Sequence, residues 1–149
     1  MLPKTAFQEL LKRLGACEEG RRYVGSRTLP HFWQECDRGD WMLWLCAKMK
    51  GQPDWPTQQQ IVLVACDCAE LSLSIFEEKY PKDSRPREAL ASARSWANGE
   101  INAKVLRAAA SCAAAWAADA AARNNKRAEV LKQCAEICRT RLQIPDLAE

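Results

Sequence analysis

Histidine is almost missing from this sequence of 149 residues, with His31 the only one. That scarcity excludes histidine-rich metal centres and leaves a single imidazole for any nucleophilic dyad. β-Branched runs and period-two alternation are scarce as well, so no segment reads as a strand. A glycine-rich loop of the kind that cradles phosphates is also lacking. The most apolar stretch, Ile61 to Phe76, is interrupted by Asp67 and Glu70 and is too short to span a bilayer. Met1 to Ala6 has no apolar core that would make a leader, so a cytoplasmic chain with no membrane partner is expected. Neither sign of charge dominates. The 22 Lys and Arg are interspersed with 19 Asp and Glu, for a net +3. Nucleic-acid modules gather basic residues on one face, so nucleic acid is not the expected partner.

What is present is helical periodicity, almost throughout. Phe7, Leu10, Leu11 and Leu14 make one stripe, closed by Gly15. A short helix follows from Ala16 to Val24 and ends at Gly25-Ser26. Thr28 is placed to cap a third helix with Pro30 in its first turn, and Gly39 breaks it. Asp40 then stands where an N-cap would for Trp41 to Cys46, a segment apolar on nearly every side. Thr57 is placed to cap a helix to about Tyr80, whose apolar centre makes it the central element. Pro86 opens another helix, with Ala89, Leu90, Ala93 and Trp96 on one face and Asn98-Gly99 at its end. Asn102 would cap an alanine-rich helix to about Arg123, and Asn124-Asn125 would turn the chain. A last helix carries Leu131, Cys134, Cys138 and Leu142 and stops before Pro145. The expectation is a single all-α domain over residues 1–149: a compact bundle of about seven to eight helices around a buried central helix, without a β-sheet.

The sequence has eight cysteines. A disulfide framework belongs to a secretory setting, so reduced thiols acting as small core hydrophobes are expected. Cys66 and Cys68, two apart on a helix, point to opposite sides. Cys134 and Cys138 share a face, but no second pair at suitable spacing accompanies them. No metal and no cofactor are therefore expected.

Three polar groups sit in apolar surroundings. Asp40 lies against Trp41 and Trp44. Asp67 and Glu70, three apart, share a helix face and need a basic partner if buried. Arg85, Arg87 and Arg94 supply candidates, with Trp96 nearby. Two readings stay open. The arginines can pair internally with Asp67 and Glu70, which the short loop between the two helices favours. Alternatively they can hold an anion such as a nucleotide at a helix start, with Trp41, Trp44 or Trp96 stacking on a base. Paired carboxylates also suit acid–base chemistry, but no nucleophile and no placed histidine accompany them, so no enzyme is expected.

Taken together, Leu14 to Glu19, Arg38 to Leu45, Ala65 to Glu70, Arg85 to Leu90 and Ala93 to Trp96 resemble the putative immunity protein family, small helical proteins of bacteria and phages. The resemblance reaches from about residue 10 to residue 145, with departures at Gly20, at Tyr23 and in the length of the alanine-rich stretch. It implies a non-catalytic inhibitor whose partner is a protein, either a toxin or a host anti-phage defence component. Sequestration of an anionic small molecule is the alternative, and assembly into a homo-oligomer through the alanine-rich helix and Trp116 is a third.

Overall fold

The computed structural model describes residues 3–98 and 127–146. The expected alanine-rich helix with Cys112 and Trp116, the Asn124-Asn125 turn and Gly99 lie outside the described residues. Among those described there are seven α-helices and no strand: α1 (Ala6–Leu14), α2 (Glu18–Val24), α3 (Leu29–Glu35), α4 (Gly39–Lys48), α5 (Gln58–Lys79), α6 (Arg85–Ala97) and α7 (Arg127–Arg141).

Local chemistry sets most of these boundaries. The Thr28 hydroxyl accepts from the His31 N–H, 3.4 Å away, and Pro30 sits in the first turn of α3. Thr57 and Gln60 satisfy each other's backbone N–H groups at 3.2 and 2.8 Å, a reciprocal capping box that starts α5. Gly15 closes α1 at φ 81°, a left-handed conformation that a side chain would oppose. Pro86 lies in the first turn of α6, where its missing N–H costs nothing.

The start of α4 departs from expectation. Asp40 is not the N-cap; Arg38 is, and its carbonyl accepts from the N–H groups of Trp41 and Met42 at 3.1 and 3.2 Å. Gly39, expected to break the preceding helix, is instead the first residue of α4. The reason is tertiary. A Cβ at Gly39 would lie 2.5 Å from Cys134 Cβ and 2.7 Å from the Ala135 nitrogen, so only glycine lets α4 begin against α7.

Helix α5 is the central element. It packs on α4, α6 and α7, and the apolar residues around its circumference serve two separate cores. Ile61, Val64 and Cys68 join a large cluster with Phe7, Leu29, Met42, Leu45 and Cys138. Cys66, Leu73 and Phe76 join a smaller one with Ala89, Leu90 and Ala93 of α6, against which Trp96 packs half-buried. Cys66 and Cys68 thus face opposite sides, as their spacing requires. At 22 residues α5 is long and apolar enough to cross a bilayer by length and composition. The apolar run from Ile61 to Phe76 is by itself shorter than that, and the helix starts before it, at Gln58.

The cysteines also depart from expectation. Cys68 and Cys134 are joined in a disulfide, whereas every cysteine was expected to be reduced. Packing of α5 on α7 brings their Cα atoms to 5.0 Å, within the range a disulfide needs. Cys36, Cys46, Cys66 and Cys138 are buried free thiols, and Cys17 is exposed.

Candidate functional site

Asp67, Glu70 and Glu77 climb one side of α5, and they meet arginines from two other helices. Arg94 Nη2 donates to Asp67 Oδ1 at 3.0 Å and to Glu70 Oε2 at 2.7 Å. Arg87, two turns earlier on α6, donates to Glu77 through Nη2 at 2.6 Å and Nε at 3.2 Å. Its Nη1 reaches Glu70. Arg141, the last residue of α7, pairs with the other oxygen of Asp67. The result is one alternating chain, Glu77–Arg87–Glu70–Arg94–Asp67–Arg141, in which three carboxylates match three guanidinium groups.

The chain is half-buried, its side chains 31 to 44% exposed. Arg94 holds the Glu70 carboxyl below its ordinary value, and Arg87 adds to the effect. Arg87 likewise lowers Glu77, and the two glutamates in turn raise Arg87. Such a network fixes the geometry of three helices more surely than it adds stability. On its outer side a cleft of about 580 Å³ runs between α5 and α7, with Leu71, Ser74, Ile137 and Thr140 beside Asp67 and Arg141.

The other candidates lie elsewhere. Arg85 pairs with Asp83 at 2.9 and 2.7 Å, at the exposed start of α6. Asp40 accepts from Arg38 Nε and Nη2 at 3.0 and 2.8 Å, and the Arg38 guanidinium lies 4.1 Å from the centre of the Trp41 ring. Asp40, Trp41 and Trp44 line a second, largely apolar cavity of about 330 Å³. Its deep wall includes Leu11, Val24 and Phe32, and Cys17 and Gly20 of the α2 region complete it. The nine candidates therefore divide: four form the ion-pair chain with Glu77 and Arg141, three line the apolar cavity, and Arg85 and Trp96 belong to neither.

Sequence reasoning missed Glu77 and Arg141. Glu77 sits seven residues after Glu70, two turns along the same face, and that spacing was a usable signal. Arg141 left none, being 74 residues from Asp67.

The family model described as Imm-5 like putative immunity protein matches residues 55–140, more than half of the chain. The chain belongs to this family. The match is narrower than the reach of residues 10–145 suggested by the motifs, and it takes in α5, α6 and nearly all of α7. It therefore contains five of the six charged residues of the chain of ion pairs, while the apolar cavity of α1 to α4 lies outside it. No curated protein and no solved structure matches the sequence.

Proposed function

We propose that this member of the family is a non-catalytic, cytoplasmic binding protein of the immunity or counter-defence type, which neutralises a protein toxin or a host anti-phage defence component by holding it. The family match is the observation that carries this reading. The α5–α7 cleft supplies a suitable surface. Arg141 is held in place by Asp67 while remaining partly exposed, and half-buried Leu71 and Ile137 line the same cleft. Pre-positioned arginines next to apolar side chains are typical of interface hot spots.

A non-catalytic role is supported by the state of the nucleophile candidates. Burial pushes the thiol of Cys46 up to about 12 and that of Cys36 up to about 11, which disfavours the thiolate a nucleophile needs. His31 pairs with Glu35 at 2.9 Å on the exposed side of α3.

The alternative, sequestration of an anionic ligand such as a nucleotide through the arginines, meets a specific obstacle. Arg87 and Arg94 are already matched by Asp67, Glu70 and Glu77, so a phosphate would have to displace carboxylates from them. The charge balance of the network favours a protein partner.

Affinity capture of the tagged protein from a host lysate under reducing conditions, read by native mass spectrometry, tests the proposal. A stoichiometric protein adduct that is lost in Arg141→Glu, at unchanged helical content, is the expected result. A small anionic adduct without a protein would replace this reading by sequestration, and no adduct of either kind would remove both.

A further inference from the structure

Helices α5 and α7 bring together three sulfurs that no function described so far uses. The Sγ atoms of Cys68, Cys134 and Cys138 all lie within 4.8 Å of one another. Each residue is deeply buried, at 7, 4 and 0% exposure. The grouping contains no carboxylate and no imidazole. An all-sulfur donor set that excludes water selects soft, thiophilic cations, whereas magnesium, calcium and manganese require oxygen ligands. The number of donors narrows the choice further. Structural zinc takes four ligands in a tetrahedron, and three thiolates in a dry site suit a d¹⁰ monovalent ion in a trigonal plane.

The surroundings fit the charge such a site would carry. Gly39, the first residue of the ten-residue helix α4, lies directly against Cys134, so the positive end of that helix is next to one of the three sulfurs. Arg139 follows Cys138 in sequence and is fixed by donating to the carbonyls of Trp33 and Cys36 at 3.1 and 2.6 Å. Both features would compensate thiolates that the apolar core alone would keep protonated.

We propose that Cys68, Cys134 and Cys138 form, in the reduced protein, a buried trigonal thiolate site for copper(I) or a chemically equivalent soft d¹⁰ cation. The same sulfurs then have two states. In the oxidised state Cys68 and Cys134 share a disulfide. A dithiol reductant supplies two electrons and two protons, breaks the S–S bond and leaves with a disulfide of its own. The two thiols so formed and the existing thiol of Cys138 each release a proton to solvent as the cation binds. The site therefore tightens α5 against α7 in reducing surroundings by coordination, as the disulfide does in oxidising ones.

The test starts from protein reduced by a dithiol, freed of reductant without oxygen, and titrated with copper(I) against a chromophoric copper(I) chelator. One copper(I) per chain is expected to be taken from the chelator. Cys138→Ser should weaken this by at least about a hundredfold, more than loss of a supporting contact costs. Cys66→Ser, which faces α6, should leave it unchanged. Equal affinity in Cys138→Ser, or no stoichiometric uptake by the wild type, would overturn the assignment. X-ray absorption of the copper-loaded wild type counts sulfur ligands without relying on any variant. Three sulfurs support the site, and two refute it.

Discussion

Asp67 and Cys68 are neighbours on α5, and both tie that helix to α7, but in opposite ways. Asp67 does so through a half-exposed ion pair with Arg141, within reach of water and salt. Cys68 does so through a covalent bond to Cys134 inside the core. A single step along the helix thus separates a wet, electrostatic attachment from a dry, sulfur-based one. The first depends on pH and ionic strength. The second depends on redox state and on packing, and the family match contains both of its cysteines but stops one residue short of Arg141.

The largest effect should come from the sulfur side. The disulfide closes a sequence separation of 66 residues, so its reduction should lower stability by about 4 kcal/mol on loop-entropy grounds. Urea denaturation with and without a dithiol measures this, and the loss should be the same in low and high salt. Next is Gly39→Ala, whose new methyl would overlap Cys134 and the Ala135 backbone. A cost of about 2–3 kcal/mol is expected, with weaker α4–α7 contact seen as faster hydrogen exchange in both helices. If Gly39→Ala were neutral, the close seating of α4 on α7 would be wrong.

On the electrostatic side the effects are smaller. Arg94→Ala removes two ion pairs at the middle of the chain, and about 1 kcal/mol should be lost at low salt. Most of that loss should vanish in 1 M salt, where the screening length is only about 3 Å. A loss that persisted at high salt would mean that the arginine acts by packing.

The two attachments also predict different arms of a pH–stability profile. Glu70 and Glu77 titrate below their ordinary value of 4.5 when folded. Their contribution is therefore present above that value and is lost as pH falls through the folded-state values. Glu70→Gln should flatten this acid arm. Cys46 and Cys138 titrate at about 12 when folded, against an ordinary 9.0. Their contribution is complete below pH 9.0 and is lost as pH rises toward about 12, as the unfolded chain ionises first. Cys46→Ala should flatten the alkaline arm and leave the acid arm untouched.

What the amino-acid sequence determined by itself was everything that depends on neighbours within a turn or two. Thr28 and Thr57 cap their helices, Gly15 and Gly25 end theirs, and Pro86 opens α6, because each acts on backbone groups within four residues of itself. The pairing of Arg87 and Arg94 with Asp67 and Glu70 was also legible, since a short loop makes α5 and α6 antiparallel neighbours. Tertiary structure alone decided the rest. Asp40 looked like a cap until the contact of Gly39 with Cys134 moved the helix start two residues earlier. Arg141 and the Cys68–Cys134 bond depend on how α7 returns to α5 across more than sixty residues. A cysteine destined for a disulfide, a metal or plain packing has the same spacing on a helix, and only the partner brought opposite to it distinguishes them.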